Sequence, residues 1–220
     1  MYLFGGTMGL TSNSKFYALD LQSFKWELIR AKAADNDAGN LPEPLDEHSA
    51  VVCDDKMILF GGFVNGERCN SVYSYKISSN EWRLLPAQST SAPCPRAGHS
   101  AMMYSENSTN WMYVFGGKND EDKLNDIWRF DLDAQTWEQV ISVDDTQPLQ
   151  RSGHSAVLYK DFMVVFGGIF EITKELNDLM LFDLKNLRWV EFFEESGGLS
   201  PHNSIRNNPS SPRRLRKQLG

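Results

Sequence analysis

Three histidines, each followed by serine, recur through the chain: His48-Ser49, His99-Ser100 and His154-Ser155. Imidazole ligates transition metals and exchanges protons near neutral pH, so this recurrence is the first place to look for chemistry. A shared metal site requires ring nitrogens to converge to ~2 Å from one ion. The three histidines sit in successive repeats, and equivalent points of neighbouring repeats lie too far apart for that. No metal is therefore expected. The chain has no GxSxG, HExxH or phosphate-binding loop, and no pair of carboxylates is marked by spacing as acid and base. Its three cysteines, Cys53, Cys69 and Cys94, form no CxxC. They read as reduced structural thiols of the cytoplasm. No enzyme and no cofactor are expected.

Charge narrows the partners. The chain of 220 residues has a formal net charge of −7. From Gly197 onward it carries Arg206, Arg213, Arg214, Arg216 and Lys217 and no acid, so the body before it is more acidic still. An acidic body repels phosphates, and nucleic acid is not the expected main partner. No apolar run reaches the 18 residues or more of a membrane span, and no signal peptide is visible.

The elements that hold these residues repeat. Four apolar runs end in a Gly pair: MYLFGG (Gly5, Gly6), MILFGG (Gly61, Gly62), MYVFGG (Gly116, Gly117) and MVVFGG (Gly167, Gly168). The steps are 56, 55 and 51 residues. A tryptophan follows each pair: Trp26, Trp82, Trp137 and Trp189. Six residues before each tryptophan stands Asp20, Lys76, Asp131 or Asp183. In the third unit, HSAMMYS, WMYVFGG, NDIWRFDL and TWEQVI read as four short strands divided by polar turns, an antiparallel meander with almost no helix. One such sheet cannot bury both faces. Stacking like sheets around an axis does, which is the logic of a β-propeller. The Gly pair then ends a strand where neighbours crowd, and the tryptophan supplies contact area within and between sheets.

These units resemble the kelch repeat. The resemblance rests on the apolar run with Gly-Gly, the large apolar residue of the third strand (Tyr17, Tyr73, Trp128 and Met180) and the following tryptophan. PRAGHS (Pro95 to Ser100) and QRSGHS (Gln150 to Ser155) resemble the family's repeat opening. The expected fold is all-β, a kelch-type propeller segment over 1–195 with blades at about 1–30, 44–86, 94–141 and 149–193. The remaining 196–220 read as a basic, disordered tail. The second opening, LDEHS, has Asp46 and Glu47 in place of Arg-x-Gly. The first blade is expected to lack its opening strand, which predicts an incomplete propeller: an arc, a fragment of a longer protein, or part of an assembly completed by a second chain or a copy of itself. A compact ring of four blades is the second expectation.

Function is expected on the varied loops after each Gly pair and on the linkers between blades, because variable loops on a rigid scaffold carry binding. The candidate protein-binding residues are Asn65, Glu67, Arg68, Asp120, Glu121, Asp122, Phe170 and Glu171, with Arg96 and Arg151 of the openings. The acids there predict a protein or peptide partner of basic character. The resemblance implies that Arg96 and Arg151 anchor acidic ligands. It also implies two alternatives to a plain interaction scaffold. One is substrate recognition for a ubiquitin ligase. The other is an enzyme of oxidase or isomerase type, whose oxidase form needs a Cys-Tyr crosslink and histidine ligands that this chain does not match. Ser211, followed by Pro212, is a candidate phosphosite in the tail.

Overall fold

The computed structural model describes residues 1–86, 91–143, 147–172 and 174–190. The expected tail and Ser211 lie outside the described residues. Among the described residues the chain is built of strands, with two short 3-10 turns at Ala34–Asn36 and Ala38–Asn40.

The first sheet contains β1 (Tyr2–Phe4), β4 (Phe16–Leu19) and β5 (Trp26–Leu28), with a small hairpin of β2 (Thr7–Met8) and β3 (Thr11–Ser12) beyond its Gly pair. The second contains β7 (Ser49–Cys53), β8 (Lys56–Val64), β9 (Glu67–Lys76) and β10 (Glu81–Leu85), in sequence order. A fifth strand, β6 (Lys32–Ala33), lies parallel to its outer edge, with Ala33 beside Trp82. The third contains β11 (Ser100–Glu106), β12 (Thr109–Phe115), β13 (Ile127–Asp131) and β14 (Thr136–Val140). The fourth contains β15 (Ser155–Tyr159), β16 (Phe162–Glu171), β17 (Lys174–Asp183) and β18 (Arg188–Val190). All pairings within the meanders are antiparallel. The sequence pattern did not announce β6, because two residues carry no alternation.

Packing explains why the Gly-Gly strands are apolar throughout rather than alternating. In β12, Met112 and Val114 pack against Ile58 and Phe60 of the second sheet. Tyr113 and Phe115, one residue out of phase, pack against Met163 and Val165 of the fourth. A strand buried on both faces has no polar side to keep.

The repeated Asp closes the outer hairpin. Asp131 Oδ1 accepts from the backbone N–H of Asp133 and Ala134, and Asp183 and Asp20 do the same in their turns. Where the second unit has Lys76, Asp55 of the β7–β8 turn takes over and accepts from the Ser78 N–H.

The Gly pair sits between two successive openings. Gly116 and Gly117 have φ of 63° and 92°, a region open to glycine. A Cβ on Gly116 would lie 2.9 Å from the Arg151 carbonyl oxygen, and one on Gly117 would lie 2.8 Å from that of Ala97. The openings also bond one another: the Gly98 N–H donates to Glu47 O at 3.0 Å and the Gly153 N–H to Gly98 O at 2.8 Å.

The two end sheets differ from the inner ones. Trp82, Trp137 and Trp189 are buried, but Trp26 is 51% exposed. Of the contacts expected of Trp26, the one within its sheet is made and the one between sheets is not found among the described residues. Its ring meets Tyr17 of its own sheet, and no earlier sheet lies in front of it among the described residues. At the far end Phe166, the fourth Gly-Gly phenylalanine, is 52% exposed.

Candidate functional site: a charged cleft on the Gly-Gly hairpins

The segments after the Gly pairs were expected as loops. Three of them are hairpins: the small β2–β3 pair already described, and two that continue the strands of their sheets. β8 and β9 run on past Gly62, with a register shift between Phe60 and Gly62, and turn at Asn65 and Gly66. Both turn residues have positive φ, 53° and 87°, which is the reason for Asn-Gly there. β16 and β17 likewise extend to Glu171 and Lys174. The third unit differs: its segment folds into a tight turn in which Asn119 Oδ1 accepts from the Glu121 and Asp122 N–H groups.

A cleft of about 640 Å³ opens among these segments. Arg68, Asp120, Glu121, Asp122, Phe170 and Glu171 all line it, so six residues singled out by sequence come together. Lys118, Lys123 and Gln150 line it too. Arg68 donates to Asp120 Oδ1 at 2.6 Å, and its guanidinium lies 4.6 Å from the centre of the Phe63 ring. Lys118 Nζ is 5.7 Å from the same ring and 3.8 Å from Glu47. Lys174 Nζ lies 5.1 Å from the ring of Phe170. Aromatic faces therefore hold the cations in place. Arg68, Lys118 and Lys123 share the wall with Asp120, Glu121, Asp122 and Glu171, so the cleft carries both charges rather than acid alone. Asn65 and Glu67 do not line it. Asn65 donates to Glu43 at 3.1 Å, at the tip of the second hairpin.

Arg96 and Arg151 are elsewhere, and their expected ligand-anchoring role is corrected. Both side chains are fully buried. Arg96 forms a two-bond pair with Asp126 at 2.7 and 2.9 Å and donates to the Gly116 carbonyl. Arg151 does the same with Asp178, both bonds at 2.8 Å, and with Gly167 O. Burial of Asp126 opposes its charge, but the Arg96 hydrogen bonds outweigh that and hold its carboxyl below the usual range. The sequence does carry a signal for these pairs. An Asp stands two residues before Trp128 and two before Met180, in the two units whose openings have Arg. In the second unit the corresponding residues are Leu45 and Ser71, and the buried pair is absent as a whole.

The histidines are packing groups. His48 lies edge-on to Phe4, His99 to Phe60 and His154 to Phe115, each across a sheet boundary. His99 Nε2 is 2.9 Å from Ser49 Oγ, and His154 Nε2 is 2.9 Å from Ser100 Oγ. Burial, then the Arg96 charge, pushes His99 down to about 3. Burial and the Arg151 charge push His154 down to about 4. Both rings are neutral at pH 7. Among the described residues no three His, Cys, Asp or Glu side chains gather as metal ligands, and no helix is long and apolar enough to cross a membrane. The three cysteines are unpaired thiols, and burial pushes Cys69 and Cys53 up.

Four antiparallel sheets, stacked through a repeated Gly pair, phenylalanine and tryptophan, define an all-β repeat protein of the β-propeller class. The chain belongs to the Kelch-repeat family: the model of the KLHDC2/KLHL20/DRC7 Kelch-repeats domain matches residues 1–109 and 84–205. Similar proteins include Tip elongation aberrant protein 3 of Schizosaccharomyces pombe, 32% identical over 87% of this chain and 19% of that protein. The leucine-zipper-like transcriptional regulator 1 homolog of Drosophila melanogaster is 31% identical over 89% of this chain and 20% of its own length. Host cell factor 1 of Homo sapiens is 32% identical over 76% of this chain and 9% of its own length. The chain spans a fifth or less of these three relatives.

Proposed function

We propose that the chain is a non-catalytic protein-interaction module that holds a peptide segment in the cleft of Arg68, Asp120, Glu121, Asp122, Phe170 and Glu171. The observation that carries this is their convergence on one cleft, Arg68, Phe170 and Glu171 from strand hairpins and Asp120, Glu121 and Asp122 from a hydrogen-bonded turn. A pre-ordered site loses little conformational entropy on binding. Arg68 already engages Asp120, which leaves Glu121, Asp122 and Glu171 to meet a ligand cation, with Phe170 as an apolar rest for its stem. The preferred segment has basic character with an aliphatic neighbour. Unpaired thiols support a reducing compartment such as the cytoplasm.

The test is a displayed random-peptide library selected on the full chain and on a variant with Asp120, Glu121 and Asp122 changed to Lys. Enrichment of Arg- or Lys-containing peptides by the parent, lost in the variant, is the expected result. Identical enrichment by both sinks the reading.

A second reading follows from length. The three relatives named above are at least five times longer than the span this chain covers in them. In that setting the module presents a substrate to a larger assembly, such as a ubiquitin ligase. A cullin that co-purifies with the chain supports this, and its absence under crosslinking opposes it.

A further inference from the structure

The second opening, LDEHS, departs from the other two. Glu47 stands where units three and four have Gly98 and Gly153. Its backbone takes the conformation of those glycines, with φ of 49° against 63° and 66°. A residue with a side chain is strained in that region. What the position gains is a carboxylate over the row of openings. The Gly98 N–H donates to the Glu47 carbonyl at 3.0 Å. A Cβ on Gly98 would lie 3.4 Å from Glu47 Oε2, so glycine there leaves the carboxylate its room. The carboxylate reaches the cleft wall, with Oε2 3.8 Å from Lys118 Nζ.

The place beside Glu47 already holds a cation of the chain itself. Lys118 Nζ has the Glu47 carboxylate as one neighbour and the Phe63 ring, centred 5.7 Å away, as another. An anion with an aromatic face suits an ammonium or a guanidinium. The fit is loose, however. At 3.8 Å the pair is longer than a charge-assisted hydrogen bond of about 2.7–2.9 Å. Its side chains are 35% and 46% exposed, and exposed pairs of this kind hold weakly. The backbone around them is fixed. Phe63 exchanges two hydrogen bonds with Asp46, and Lys118 exchanges two with Ala97.

We infer that Glu47 and Phe63 form a second cation subsite beside the cleft, which Lys118 occupies in the free chain and an Arg or Lys of the bound segment takes over. This rests on the peptide-binding reading of the cleft and narrows the class of ligand. One cation of the segment meets Glu121, Asp122 and Glu171, and a second meets Glu47. The preferred segment is therefore dibasic, and Lys118 turns to solvent when it binds.

The experiment is selection of the displayed peptide library on the full chain, on Glu47→Gln and on Glu47→Gly. Glu47→Gln removes the charge alone, and Glu47→Gly restores the glycine of the other openings, so a loss common to both belongs to the carboxylate. The parent is expected to enrich peptides with two Arg or Lys residues, and both variants are expected to enrich peptides with one. The most enriched dibasic peptide of the parent, labelled for fluorescence anisotropy, is expected to bind both variants roughly fivefold more weakly. Glu67→Gln, which removes an acid outside the cleft, is expected to change that affinity less than about twofold. Lys118→Gln is expected to tighten it, and Lys123→Gln, the same change of charge on the same wall, to tighten it by a smaller factor. A far-UV spectrum matching the parent confirms that each variant is folded, and Glu47→Gln decides if Glu47→Gly fails that check.

Enrichment of peptides with a single cation by the parent overturns the second subsite and leaves the cleft reading standing. Dibasic enrichment that survives the loss of the Glu47 carboxylate does the same. Lys118→Gln that binds no tighter than Lys123→Gln overturns the displacement of Lys118. A parent that enriches no basic peptides overturns both readings.

Discussion

Trp137 of the third sheet stacks its indole 4.9 Å from the ring of Phe60 in the second and at the same distance from Phe130 in its own. One side chain thus joins a sheet to itself and to its neighbour. Truncation of a buried aromatic of this kind costs ~3–5 kcal/mol. Trp137→Ala is expected to lower unfolding stability by that amount. Trp26 has the same place in its repeat but is half exposed. Trp26→Ala is expected to change stability by no more than ~0.5 kcal/mol. Urea unfolding of both variants decides. Equal losses would show that the tryptophan acts within its own sheet rather than between sheets.

The Gly pair separates two effects that usually come together. Gly6 and Gly117 have nearly the same φ, 86° and 92°, so alanine strains the backbone at both. A Cβ has open space at Gly6 but meets Ala97 O at 2.8 Å at Gly117. Gly6→Ala is expected to cost ~1 kcal/mol of backbone strain. Gly117→Ala is expected to cost ~2 kcal/mol more, because an opening strand must move. Thermal unfolding midpoints of the two variants check the difference. Matching losses would mean that conformation alone fixes the Gly pair.

Much of the fold is legible in the sequence because one signal is repeated. Gly pairs, tryptophans and apolar runs at a steady period require stacked sheets, whatever any single strand prefers. What a repeat cannot show is which neighbour each residue receives. Trp26 and Trp82 are alike in local sequence, yet one is exposed and the other buried, because burial depends on the sheet in front. Arg96 and Arg151 were expected as ligand anchors on the family resemblance. Asp126 and Asp178, distant in sequence, draw them inside. The cleft was partly legible: the varied segments supplied Arg68, Asp120 to Asp122, Phe170 and Glu171. Lys118 and Lys123 belong to the same varied segment as the three acids, and Gln150 comes to the wall from the opening of the fourth unit, where no sequence signal marks it.

Acid is expected to loosen the sheet boundaries before it reaches the ion pairs. Burial lowers His48, His99 and His154 below the ordinary value of 6.5, His99 to about 3 and His154 to about 4. Below pH ~6.5 the unfolded chain takes up protons that the folded chain refuses, so stability is full above that pH and falls as the pH drops toward 4. Asp126, held below 3.8, contributes its loss only at lower pH. Urea midpoints between pH 7.5 and 4.5 are expected to fall for the parent and to fall less for a His99→Gln, His154→Gln variant. Parallel slopes would remove the histidines from the account.

The buried Arg96–Asp126 pair admits a test that the molecule has already carried out on itself. In the third sheet Arg96 is fully buried and its partner is 24% exposed. In the second sheet Leu45 and Ser71 stand at the matching places, and Leu45 is buried in the cluster of Phe4, Leu59 and Tyr73. Removing one member of a buried pair costs ~3–5 kcal/mol, because the other charge stays desolvated, while replacing both can be close to neutral. Arg96→Leu leaves the Asp126 carboxylate with Trp128 Nε1 as its remaining side-chain donor, at 2.7 Å. Asp126→Ser leaves a guanidinium with the carbonyls of Cys94 and Gly116 and the Cys94 sulfur, and no counter-charge. Each single variant is expected to lose ~3–5 kcal/mol, and Arg96→Leu with Asp126→Ser together is expected to lose much less than their sum. A double-mutant cycle by urea unfolding measures the coupling. Simple additivity would show that the pair is not the unit exchanged between repeats, and that Leu45 and Ser71 arose without reference to each other.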